Sequence, residues 1–341
     1  MRNPGQRALL AMLVMAELAL AHAAAATTPA ASVHGRWHLQ SRFWVSLHQT
    51  LLEAAQQHDV QNPGADAAER EAWDRAVADY GERFAKKSPV FDDDLIAVND
   101  ALSNVGDDAA PPASIGPAAA TLRAVAPLYR ARQWPADQLA SRFWMAVAGA
   151  MLDQAGEELA MAHERVYGAF PREIVVDVSP FGGEFGAYTT NLKHFVHTTV
   201  STRDPAYQGY WGLEMMLHEA SHDVVGAGDD AAIGREIDAA ARALGRRPPP
   251  SLWHAVIFYT SGELTRRALV RRGIAYQPFI LEMYKKTFQR FREPLATHWH
   301  AYLDGKLSRD EAIRRLVEAT TVPPPAAAAA TPAPAPSPSP R

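Results

Sequence analysis

His218, Glu219 and His222, in the stretch "EMMLHEASHDVVG" (214–226), are the residues whose types and spacing could do chemistry. Four residues make about one helical turn, so in a helix the two imidazoles lie one above the other on one face. Two imidazoles placed in this way can meet a single metal ion with a geometry that suits zinc. Glu219, beside them, is placed to take a proton from water at such an ion. Leu213, Met216, Leu217, Ala220 and Val224 form an apolar stripe that anchors the helix. The zinc face and the packing face are therefore distinct, as a rigid site requires.

A catalytic zinc site takes three protein ligands and keeps a fourth position for water. The third ligand does not follow at once. Where the HxxGxxH continuation would supply a histidine, the chain runs "HDVVGAGDD", with Gly226 one position late. Asp229 and Asp230 are out of register, and a closely spaced glutamate would fall at Ala241 or Arg242. Glu236 and Asp238 lie nearby, on a helix that also carries Arg235 and Arg242.

The segment "SLWHAVIFYTSGELTRRALVRR" is a better source. It is apolar around most of its circumference from Leu252 to Leu264, where only His254 and Glu263 can carry charge. A buried carboxylate must be neutral, paired or bound to a metal. Leu252, Val256, Tyr259 and Glu263 share a face, so Glu263 is the expected third ligand; an ion pair with Arg266 or Arg267 is the competing arrangement. Tyr259, His254 and Tyr276 are the candidates to donate to a developing oxyanion.

The order His218, Glu219, His222, then a glutamate on a later helix resembles the gluzincin class of zinc peptidases, to which the thermolysin-type enzymes belong. That resemblance covers the site alone. It implies Zn2+ held by His218, His222 and Glu263, with Glu219 as general base. One departure is Arg267, which stands one turn after Glu263, where gluzincins often place an acidic residue. The phrases "WPADQLASRFW", "GAYTT", "DPAYQGYWGLEMMLHEASH" and "LWHAVIFYTSGE" are similar to those of a family of uncharacterised exported bacterial proteins. This second resemblance spans most of the folded chain and brings no activity with it.

Elements must hold these groups in place. Residues 33–168 read as a helical N-terminal portion in which "SRFWVSLHQTLLEAA" (from Ser41) is echoed by "SRFWMAVAGAMLDQA" (from Ser141). Phe43, Trp44, Phe143 and Trp144 are expected in the core. Pro and Gly near 62–64 and 104–117 break the helices, and the acids of "FDDDLIAVND" read as a solvated helix start. From 169 to 322 the texture changes. "REIVVDVSP", "GEFGAYTT" and "HFVHTTVST" are rich in β-branched and aromatic residues and read as short strands directly before the HEASH helix. Further helices follow at about 229–244 and from Ser251 to Arg272, on either side of the prolines at 248–250. The expected class is α+β and predominantly helical, with a small sheet beside the active-site helix. "HFVHTTVST" is expected to offer an open edge on which an extended peptide adds by main-chain pairing. His194 and His197 on it are expected as exposed strand residues rather than ligands.

The ends carry their own signals. Arg2 and Arg7, an apolar run "ALLAMLVMAELALA" and the exit "AHAAAA" read as a signal peptide over residues 1–25. With no cysteine in the chain, disulfides are excluded, and a periplasmic or secreted bacterial location is expected. The Pro/Ala/Ser tail, 323–341, cannot build a core. A formal net charge of −4 argues against nucleic-acid binding by bulk electrostatics, and no stable membrane insertion is expected once the signal is removed. The expectation is an exported zinc-dependent hydrolase, a peptidase acting on an extended peptide or protein. The alternatives are a zinc hydrolase of another amide or ester bond, and a non-catalytic binding module.

Overall fold

In the computed structural model the described residues are 31–56, 60–191, 196–225 and 232–321. The expected signal peptide, the Pro/Ala tail, His194, Asp229 and Asp230 lie outside them. The fold is predominantly helical α+β, built around one mixed five-stranded sheet.

Strands β1 (Ala31–His34), β2 (Trp37–Gln40), β3 (Ile174–Ser179), β4 (Ala187–Asn191) and β5 (Val196–Ser201) lie in the order β1-β2-β3-β5-β4. β2, β3 and β5 run parallel, and each outer strand is antiparallel to its neighbour. The first ten described residues thus form a two-stranded hairpin, not helix, and β2 pairs in register with β3 across more than a hundred residues of chain. The portion up to residue 168 therefore contributes to the same sheet as the portion after it.

Alternation along the strands gives the sheet two chemically different faces. Ile174, Val176 and Val178 of β3 join Leu39, Val196 and Val200 in an apolar core. Two helices cover that face: α5 (Trp134–Tyr167) and α6 (Gly209–Ser221), which carries HEASH. The opposite face is polar and packs against α1 (Phe43–Ala55) and α3 (Asp93–Ser103). Asp177 there is fully buried; it accepts from Ser103 Oγ at 2.5 Å and from Gln40 Nε2 at 2.9 Å, and bonds His197 Nε2 at 2.6 Å. His197, expected to be exposed, is 1% exposed. Gln49 of α1 donates to Tyr188 Oη of β4 at 2.6 Å. With α2 (Ala67–Phe84) and α4 (Pro117–Arg132), α1 and α3 share a second apolar core around Phe43, Trp73, Tyr80 and Leu122.

The repeated phrase has two fates. Phe43 and Trp44 are both buried because α1 lies between the sheet and the other N-terminal helices. In α5, Trp144 is buried but Phe143 is 51% exposed, against the expectation for it. Neighbouring residues on a helix point about 100° apart, so a helix covered on one side buries only one of the pair.

After α7 (Ala232–Ala243), the prolines at 248–250 lead into α8 (Leu252–Arg271). Gly262 lets α8 approach α6: a Cβ there would meet Glu214 Oε1 at 3.0 Å and Pro278 Cβ at 2.6 Å. Glu214 is fully buried on α6, bonded by the Tyr276 hydroxyl and the Phe279 N–H, which fastens the segment after α8 to the same helix. α9 (Ile280–Tyr284) and helical turns from Arg292 to Leu303 follow, and α10 (Arg309–Thr320) closes the fold against α7. Among the described residues no helix is long and apolar enough to cross a membrane.

Candidate metal centre

His218 stands in the last full turn of α6. The helix ends at Ser221, but His222 keeps right-handed helical angles (φ −61°, ψ −23°) and bonds its N–H to Glu219 O at 3.1 Å. The one-turn spacing of the two histidines therefore survives the helix end. His254 arrives from the first turn of α8. Its entry is set by Ser251, the one non-glycine residue with positive φ (62°) among those described. That conformation costs on the order of 1 kcal/mol and turns the chain into α8 just ahead of His254.

The three rings converge. Their centroids are 5.0 Å (His218–His222), 5.1 Å (His218–His254) and 5.2 Å (His222–His254) apart, nearly an equilateral triangle. One nitrogen from each lies within 4.8 Å of the others, and His218 Nε2 is 3.2 Å from His254 Nε2. Nitrogens bound to one tetrahedral zinc at about 2.0–2.1 Å stand roughly 3.3 Å apart, so this edge matches that geometry. A neutral histidine pair sharing one proton would give the same 3.2 Å, but it would not require a third ring equidistant from both.

Aromatic packing keeps these rings unprotonated. Phe258 lies 3.9 Å from the His218 ring, Trp253 stacks on His254 at 5.0 Å, and Phe288 meets His254 edge-on. Burial lowers His222 to about 3 and His254 to about 4. His218 lies well below the usual histidine range, first from burial and then from the neighbouring imidazoles. Neutral imidazoles keep the lone pair that a metal needs. Among the described residues His218 Nδ1 is buried without a hydrogen-bond partner, and the ring packs against Phe258.

Glu219 is 5% exposed and faces the sheet, where Thr189 Oγ1 of β4 donates to its Oε2 at 2.8 Å. Burial raises its carboxyl to about 7 against the lowering effect of that bond. A carboxylate poised near neutrality suits a general base.

Glu263 is not in this cluster. It is clamped by its own helix, bonded by Arg266 at 2.7 and 2.8 Å and by Arg267 at 2.7 Å. Burial pushes its carboxyl up, but the two guanidinium groups outweigh that and hold it below the usual range. His254 and Glu263 are nine residues apart, about two and a half turns, and so point to opposite sides of α8. The place beside His218 and His222 that was expected for Glu263 is taken by His254, which was expected only as an oxyanion donor. Tyr259 stands with Glu263, its hydroxyl 2.9 Å from His300 Nδ1, and the Tyr276 hydroxyl is committed to Glu214 and Tyr210 O. Among the described residues, His218, His222 and His254 are the one group of three or more that could hold a metal.

The chain matches no family model, and no curated protein or solved structure is significantly similar to it.

The open edge also lies elsewhere than expected. β5, from "HFVHTTVST", is interior, paired to β3 on one side and β4 on the other. β4, from "GAYTT", is the edge strand next to β5, and Ala187, Tyr188, Thr189 and Thr190 on it are all buried. Thr189 was not singled out in the sequence; the alternation Tyr-Thr-Thr in a short strand was the available signal.

Proposed function

We propose that this chain is a metal-dependent hydrolase, with zinc held by His218, His222 and His254 and with Glu219 as general base. The near-equilateral triangle of three neutral imidazoles, one buried and two half-buried, with a glutamate beside the first of them in sequence, carries this reading. A zinc ion bound there would act as a Lewis acid, bringing water within reach of deprotonation near neutral pH. The protein's own part is to fix three ligand rings by aromatic packing and keep them neutral. Glu219 receives the proton of the attacking water and returns it to the leaving group.

The proposed substrate is a peptide or protein, and the proposed setting is export to the periplasm or beyond. The ligand set departs from the gluzincin pattern, since its third member is an imidazole. With β4 buried, main-chain addition of an extended peptide to the sheet edge beside Glu219 loses its structural support. Cleavage of another amide or an ester is accordingly the second reading.

The test is hydrolysis of fluorescein-labelled casein and of a p-nitrophenyl ester by zinc-loaded protein, chelator-treated protein and Glu219→Gln. Turnover of either substrate that needs both zinc and Glu219 supports the proposal and selects the bond type. Turnover that persists in Glu219→Gln removes the glutamate from its role.

A further inference from the structure

We propose that Thr189 is the positioning residue for Glu219: its hydroxyl ties one carboxylate oxygen to the sheet and leaves the other for the reacting water. This rests on Glu219 being the base of the proposed hydrolase.

The geometry is asymmetric. Thr189 Oγ1 lies 2.8 Å from Glu219 Oε2, 3.0 Å from the Glu219 carbonyl oxygen and 3.1 Å from Thr198 Oγ1. A hydroxyl has one proton to give, and the carboxylate oxygen, the shortest of its contacts, is the strongest acceptor. Thr198 then donates to the Thr189 lone pair, so the two hydroxyls point in sequence toward Glu219. Among the described residues Glu219 Oε1 makes no hydrogen bond, and it is not among the fully buried unpartnered atoms. The base therefore has one oxygen held and one open.

The holder is itself held. Thr189 and Thr198 face each other in the β4–β5 register, and both are buried. On the opposite face of β4, Tyr188 is bonded by Gln49 of α1. A glutamate side chain has three rotatable bonds, and among the described residues the hydrogen bond to this carboxylate comes from β4, not from α6. A fixed strand across the gap thus holds the carboxylate without drawing on any of the three histidines. The N-terminal helices thereby acquire a role: they brace β4 from behind.

The experiment compares Thr189→Val, which keeps the shape and loses the hydroxyl, with Thr189→Ser, which keeps the hydroxyl. Zinc content, kcat and KM on labelled casein, and crystal structures of the zinc-loaded proteins are measured, with Glu219→Gln as control. Thr189→Val is expected to bind zinc like the parent protein and keep KM within about 2-fold, while kcat falls roughly 10-fold or more. Its Glu219 carboxylate should be turned from its parent position, and Thr189→Ser should restore both position and rate. An unmoved carboxylate in Thr189→Val, or full kcat beside an inactive Glu219→Gln, overturns the inference and leaves the proposed function standing. Parent protein without zinc, or an active Glu219→Gln, overturns both.

Discussion

His218 and His254, thirty-six residues apart on two different helices, meet Nε2 to Nε2 at 3.2 Å. Two things make that approach possible: Gly262, which admits Glu214 of α6 against α8, and the left-handed Ser251, which starts α8 just ahead of His254. The three-histidine cluster is thus a product of how α6 and α8 are packed. Several consequences can be measured.

Replacing Glu263 should affect stability and leave the metal alone. Its carboxylate bonds Arg266 and Arg267 on the same helix, and Arg267 continues to Asp304 at 2.7 Å. The arginines are partly exposed, so Glu263→Gln is expected to cost about 1–2 kcal/mol in urea unfolding, with zinc content unchanged.

Glu214 should make the protein less stable as pH rises. Burial raises its carboxyl to about 8, against the lowering bonds from Tyr276 and Phe279. Between its unfolded value near 4.5 and about 8, the folded state holds a proton that the unfolded state has lost. Stability from this group is therefore full below about pH 4.5 and declines by up to about 1.4 kcal/mol per pH unit toward pH 8. Glu214→Gln cannot titrate. Its unfolding free energy, followed from pH 5 to 8 beside that of the parent, should lack this share of the slope; parallel profiles would contradict the assignment.

Asp177 should be a weak point of the polar sheet face. Ser103, Gln40 and His197 all bond to it in the interior. Asp177→Ala removes the buried acceptor that these three groups share and is expected to cost about 3 kcal/mol or more, read as a lowered urea midpoint.

How much of this was legible in the sequence follows from the range of the interactions involved. His218 and His222 are neighbours through one helical turn, so their pairing depends on nothing beyond α6. The strands β3 to β5 announced themselves by β-branched runs. The first two strands did not, because four-residue elements that find partners more than a hundred residues away leave little local pattern. That His254, and not Glu263, comes beside His218 and His222 was hidden for a similar reason. His254 and Glu263 lie on one helix and point to opposite sides, so the sequence could not say which side faces α6. Arg266 and Arg267, three and four residues after Glu263, were the local signal that this carboxylate already had partners. Thr189 had no local signal of comparable strength, since its role depends on which strand forms the sheet edge.

The most direct test is the zinc content of purified protein by mass spectrometry, for the parent chain, His254→Ala and Glu263→Ala. The expected result is one zinc per chain in the parent and in Glu263→Ala, and loss of zinc in His254→Ala. Zinc kept by His254→Ala and lost from Glu263→Ala, or no zinc in the parent protein after it has been supplied, would contradict the account.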